Sequence, residues 1–187
     1  MTSRRTRSPN DFTEIMAKFL ADHNKVIDGL DFSKKERGPE LRKPIRDSRT
    51  HSAPEIAKIA GKLGFELPPS HAKFLREFGS FWLYDFEIYP TGNLAKEIKD
   101  FKSWIKEDPL TVKSKNTEAE PETIQSSDLL PFAGFDLDKY LIHIETKKVY
   151  FWNHEEWSQL QFIGTFEAWL SRFLTERLQG VKSYYKK

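Results

Sequence analysis

The chain contains no cysteine. No disulfide framework and no thiolate nucleophile is open to it, a composition that suits a reducing compartment. It has no apolar run approaching the roughly 20 residues that a membrane span requires. Its basic opening, "MTSRRTRSPNDF", is not followed by an apolar stretch of signal-peptide length. These absences set the expectation of a soluble, cytoplasmic protein. Charge of one sign is also scarce. The formal net charge is only +2, so whole-chain electrostatics give no reason to expect direct nucleic-acid binding. Glycines are scattered singly, and no G-x-S-x-G, phosphate-binding P-loop or G-x-G-x-x-G motif is present. No internal repeat is visible. What is abundant is aromatic: 14% of the 187 residues are Phe, Trp or Tyr. That length supports a genuine core without staples.

Periodicity organises the chain. Residues 1–10 read as a disordered basic tail. Residues 11–51 read as an N-terminal helix followed by an irregular basic arm. Asp11 and Glu14 form a capping-box-like pair, and Phe12, Ile15, Met16, Phe19, Leu20 and Ile27 make one apolar stripe. The stretch 31–51 is rich in Lys and Arg and is broken by Pro39 and Pro44. A domain is expected over 52–178. It opens on "SAPE", with Ser52 and Glu55 in capping-box positions, and the helix is stopped by Gly64. Pro68 and Pro69 start another helix, which stops at Gly79.

"FWLYDFEIYP" predicts one strand or two short ones. Leu94, Ile98, Phe101 and Ile105 predict a helix. Residues 109–127 read as an exposed polar loop. "LLPFAGF", "DLDKYLIHIE" and "VYFWN" predict strands, the last two as a hairpin, and "LQFIG" adds a further extended piece. Phe166, Trp169, Leu170, Phe173, Leu174 and Leu178 predict a closing helix after Thr165, and 179–187 a basic tail. Without regular βαβ alternation, the order favours an α+β fold: a central, mainly antiparallel sheet with helices packed around it and an extra N-terminal helix.

The segment "KVYFWNHEEW" raises the question of chemistry. A zinc hydrolase helix needs H-E-x-x-H, and the second histidine is missing after His154. His143, Glu145, His154 and Glu155 can be assembled on paper into a metal-dependent enzyme site. Glu145, Glu155 and Glu156 can likewise be paired as glycosidase-type acid and base. Alternating polar residues on the open face of a sheet, running into a loop, account for the same pattern with less. No cofactor and no metal is expected. The unusual quantity is aromatic surface: Trp82, Tyr84, Tyr89, Trp104, Trp152 and Trp157 lie near Asp85, Asp136, Asp138, Glu145 and Glu155. Trp and Tyr anchor protein contacts, and carboxylates beside them suit a basic partner.

The ordered segments carry a resemblance. "LGFELPPSHAKFLREFGS" (Leu63 to Ser80), "LLPFAGFDLDKYLIHIETKKVYFWNHE" (Leu129 to Glu155) and "IGTFEAWLSRFL" (Ile163 to Leu174) resemble the SUKH superfamily, which includes the yeast Smi/Knr cell-wall assembly regulator. The match departs from the usual pattern at Phe78-Gly79-Ser80 and at Lys147-Lys148, and residues before 52 have no counterpart. The resemblance implies a non-catalytic α+β binding module. It implies an immunity protein that occludes a cognate polymorphic toxin, for example a nuclease, or alternatively a regulatory scaffold. Carried over by position, it places the helix-to-strand turn at Gly79 and Trp82, the acidic turn at Asp136 and Asp138 and the hairpin end at Trp152 and His154; together with the aromatic and acidic residues Tyr84, Asp85, Glu145 and Glu155 noted above, these are the expected partner contacts. The oligomeric state is left open.

Overall fold

In the computed structural model the described residues are 12–29, 44–113 and 121–185. They form, in chain order, α1 (Phe12–Asp28), β1 (Ile45–Arg49), α2 (Ala53–Leu63), α3 (Pro69–Glu77), β2 (Ser80–Leu83), β3 (Phe86–Ile88), α4 (Leu94–Trp104), β4 (Leu110–Val112), β5 (Thr123–Ile124), β6 (Leu129–Phe135), β7 (Asp138–His143), β8 (Val149–Trp152), β9 (Gln159–Gly164) and α5 (Phe166–Tyr185). The strands make one nine-stranded sheet in the order β1-β2-β3-β6-β7-β8-β9-β4-β5. All pairs are antiparallel except β4 with β9. The fold is α+β, as the alternation of periods predicts.

The chain divides into two compact units. One holds the sheet, α2, α3, α4 and Phe166. The other groups α1 with the body of α5. In α1 the buried stripe is Phe12, Met16, Phe19, His23, Val26 and Ile27. The Asp11 cap lies outside the described residues. In α5 the indole of Trp169 stacks on the ring of Phe173 at 5.4 Å. This helix continues to Tyr185, so Gln179 to Tyr185, expected as part of a tail, are helical.

Local chemistry explains the sheet unit's helices. Ser52 accepts the Glu55 backbone N–H, and Glu55 accepts that of Ser52, closing the capping box of α2. Gly64 ends α2 at φ +79°, in the left-handed region. Pro68 and Pro69 stand at the start of α3, where a missing N–H costs nothing. Gly79 follows, also at φ +79°, and a Cβ there would stand 2.0 Å from the Arg49 carbonyl oxygen. Only glycine lets β1 come this close to the turn.

Two sequence expectations need correcting. The arm 31–51 ends in a strand, β1, and the loop 109–127 contains β4 and β5. Strand β1 is an edge strand with the sequence IRDSR. Edge strands carry charges that deter pairing with other chains, and these charges hide the apolar alternation. Strands β4 and β5 have three and two residues, too few for a period to register.

The sheet's two faces are covered differently. On one, Phe74 of α3 meets Phe81 and Phe166, while His71 packs against the touching rings of Phe132 and Phe166. On the other, α4 covers a core of Phe101, Leu110, Val112, Ile124, Leu129, Leu141, Tyr150, Trp152 and Leu160. There Phe101 meets the Trp152 ring edge-on at 5.3 Å, and Trp104 stacks on it at 6.4 Å.

Candidate protein-binding cleft

The strand registers align one row of residues across the α4 side of the sheet. Trp82 pairs with Glu87, Glu87 with Gly134, Gly134 with Lys139, and Lys139 with Trp152. Residues directly opposite one another share a face. Helix α4 covers the Trp152 end of this row. It leaves the Trp82 end open, and a cleft of about 270 Å³ forms there. Its walls are Trp82, Tyr89, Trp104 and Phe135, with Glu87, Asp136 and Asp100 around them and Lys139 inside.

Lys139 is the polar centre. Its side chain is 5% exposed, and Nζ donates 2.8 Å bonds to Glu97 Oε2 and to the Tyr89 hydroxyl. The same ammonium lies 5.0 Å from the Tyr89 ring centroid and 5.2 Å from that of Trp104. Glu97 reaches it from the buried stripe of α4, which reads Leu94, Glu97, Phe101. Gly134 makes room for this arrangement. A Cβ there would stand 2.3 Å from the Tyr89 hydroxyl and 2.4 Å from the Asp138 carbonyl. Burial, followed by the charge of Glu97, pushes the Tyr89 phenol well above its ordinary range, so it stays a neutral hydrogen-bonding group.

The charges around the mouth divide into paired and unpaired. Lys139 is bound to Glu97, and Lys96 sits 3.1 Å from Asp100. The carboxylates of Glu87 and Asp136 make no hydrogen bond or close ion pair with another described residue, and Asp136 acts on His154 through its charge alone. Partial burial pushes the Glu87 carboxyl upward, reinforced by Glu97 and opposed by Lys139 and Lys96.

The strand directions place the β2–β3 turn, the β6–β7 turn and the segment after β8 at one end of the sheet. Six of the expected contact residues are found there besides Trp82. Tyr84, half-buried at φ +58°, and exposed Asp85 make the first turn. Exposed Asp136, at φ +50°, is in the second, and half-buried Asp138 starts β7. Asp138 Oδ1 accepts both the backbone N–H of His154, at 3.1 Å, and its ring Nδ1–H, at 2.8 Å. That hydrogen bond, above all, raises the His154 pKa. Glu155 follows in a 3-10 turn, exposed, its N–H held by the Asn153 side chain.

The other three lie elsewhere. Trp152 is fully buried, so it supports the cleft from beneath and offers no surface. Gly79 and Glu145 are at the opposite end of the sheet, the first serving close backbone approach and the second in the β7–β8 turn. Trp82 itself is 38% exposed at the cleft mouth.

The metal alternative meets this geometry directly. His143 and Asp138 stand at the two ends of β7, and His154 is bonded to Asp138. Five residues of strand separate them by about 16 Å, so His143 and His154 do not share a site. His143 Nδ1 instead accepts the backbone N–H groups of Glu145 and Thr146. Among the described residues no group of three or more His, Asp or Glu is placed to hold a metal ion. No helix among them is long and apolar enough to cross a membrane.

Sequence reading missed Glu87, Lys96, Glu97, Asp100, Gly134 and Lys139. One signal was present. Lys139 shares strand parity with Leu141, a core residue, and a lysine on a core face requires a carboxylate partner. Which carboxylate answers it is a tertiary fact.

No curated protein matches the chain significantly. The model of the SMI1 / KNR4 family (SUKH-1) matches residues 51–172, from just before α2 into α5 and including every wall of the cleft. The chain belongs to the SMI1 / KNR4 family (SUKH-1).

Proposed function

We propose that the chain is a non-catalytic, cytoplasmic protein-binding domain that docks its partner at the cleft-bearing end of the sheet. We assign it the role of an immunity protein that binds a cognate toxin and neutralises it by occlusion. The observation that carries this reading is an exposed tryptophan and two carboxylates with no close ion-pair partner among the described residues, at the mouth of a cleft whose floor is fixed by the Lys139–Glu97–Tyr89 network. Rigid aromatic anchors ringed by charge are what protein interfaces concentrate. Membership of the family supports either a toxin-immunity role or one like that of the regulators after which it is named. Occlusion needs no chemistry from this chain, only a surface that covers another protein's active site.

The test is capture by the full chain from extract of its source cells, compared with the Trp82→Ala and Asp136→Lys variants. The expected result is one dominant, stoichiometric partner whose enzymatic activity is inhibited by the wild-type chain and not by the variants. Retention of that partner at wild-type affinity by both folded variants would place the interface elsewhere.

A regulatory scaffold is the second reading, favoured by a second aromatic surface. Phe162 on β9 is 51% exposed and Trp157 is 37% exposed. Lys106 lies 4.2 Å from the centroid of the Trp157 ring. A scaffold uses several surfaces at once. It predicts several partners, some insensitive to Trp82→Ala and lost with Phe162→Ala.

A further inference from the structure

From the cleft we infer that the partner inserts a single arginine side chain, its guanidinium lying against Trp82 and bonded to Glu87. The inference rests on the reading of this face as a protein-binding one. It starts from size. A cleft of about 270 Å³ falls just below the roughly 300–1,000 Å³ of small-molecule sites, so it suits one side chain better than a whole cofactor.

Charge gives the sign. Four carboxylates line the cleft, Glu87, Glu97, Asp100 and Asp136, against two ammonium groups, Lys96 and Lys139. Glu97 is committed to Lys139 and Asp100 to Lys96, which leaves Glu87 and Asp136 to meet an incoming cation. An anion entering the cleft would face both of them. A neutral side chain would leave the half-buried Glu87 carboxylate without a partner in a drier setting, which costs free energy.

Shape and surface chemistry select among cations. Trp82 and Trp104 present indoles to the cleft. A guanidinium is planar, stacks on aromatic faces and bonds a carboxylate with two parallel N–H groups. A lysine ammonium is a more strongly hydrated point charge that cannot do both at once. Lys139 already occupies the interior position that an ammonium would take, between Tyr89 and Trp104. Trp82 and Glu87 face each other across β2 and β3, so one planar group can engage both. Preorganisation is built in, because the floor is locked by buried hydrogen bonds before any partner arrives.

The test titrates the isolated full-length chain with N-acetyl-arginine amide and follows the indole N–H signals of Trp82 and Trp104 by NMR, assigned through Trp→Phe variants. The expected result is saturable shifts of both signals at millimolar ligand. N-acetyl-citrulline amide, nearly isosteric and uncharged, should give none. Glu87→Gln should weaken binding about tenfold or more, the loss of one charge-assisted hydrogen bond. Asp136→Asn, on an exposed turn, should give a smaller loss and serves if Glu87→Gln perturbs folding.

Equal shifts with the citrulline amide, no shift with the arginine amide, or wild-type affinity in folded Glu87→Gln would overturn the inference. N-acetyl-lysine amide binding as tightly as the arginine compound would overturn the choice of arginine. This titration involves no partner. If it fails while Trp82→Ala still abolishes capture, the arginine assignment falls and the protein-binding face stands. If it succeeds while both capture variants retain the partner, the cleft takes a guanidinium but the partner docks elsewhere, and the inference falls together with the protein-binding face.

Discussion

His71 is fully buried on the sheet face opposite the cleft, with the Phe132 and Phe166 rings at 5.6 and 5.9 Å. Neither ring nitrogen has a hydrogen-bond partner among the described residues. Burial above all, and then the charge of His51, depresses its pKa from 6.5 to about 3. The folded state therefore holds His71 neutral where the unfolded chain would protonate it. A base whose folded pKa lies below its unfolded one contributes stability above the unfolded value, and that stability is lost as pH falls. At pH 5 the unfolded imidazole is largely protonated and the folded one is not. From the two pKa values, the loss between pH 8 and pH 5 is about 2 kcal/mol.

Replacement by leucine removes the titration and an unsatisfied polar group together. His71→Leu should be no less stable than wild type at pH 8. Its stability should fall by about 2 kcal/mol less than that of wild type on going to pH 5. Urea unfolding at both pH values, followed by circular dichroism, measures the difference. The other ionisable groups are common to both proteins, so their contributions cancel to first order, apart from the His51 coupling. Equal losses in the two proteins would show that His71 is solvated or bonded in a way that this geometry denies.

Three further outcomes follow from the cleft. Glu97→Ala leaves the buried Lys139 ammonium without its carboxylate and should cost about 3–5 kcal/mol by urea unfolding, with Lys139→Met added in the same chain recovering most of it; a cost below about 1 kcal/mol would mean that water reaches Lys139 freely. Gly134→Ala drives a methyl into the Tyr89 hydroxyl and the Asp138 carbonyl, and should cost about 1–3 kcal/mol in the same assay. His154 should titrate above 6.5 by NMR and return toward that value in Asp138→Asn, since the Asp138 hydrogen bond is the main cause of its shift. Its pKa is raised on folding, so its contribution to stability is present below the unfolded pKa and lost as pH rises through the folded one.

Much of this architecture is written in local sequence. The capping box Ser52–Glu55, the left-handed Gly64 and the stripe from Phe166 to Leu178 each depend on neighbours within a turn or two, and each forms as its spacing predicts. The hairpin of β7 and β8 is legible in the alternation that ends at Trp152. β1, β4 and β5 are not, because charge on an edge strand and strands of two or three residues leave no period to read. The cleft was half legible. Trp82 and Asp136 announce themselves as an aromatic and an acid near turns. Glu87, Glu97 and Lys139 come together only through strand register and the placement of α4, across 42 residues between Lys139 and Glu97. Trp152 illustrates the converse: an aromatic beside acids in sequence that the strand parity turns inward, under Trp104.

The measurement that bears most directly on the account is hydrogen exchange of the full chain, free and bound to its captured partner. The account predicts new protection from Trp82 to Glu87, from Phe135 to Lys139 and around His154, with little change along β9 and β4. Protection confined to β9, around Trp157 and Phe162, with the cleft exchanging as in the free chain, would contradict it.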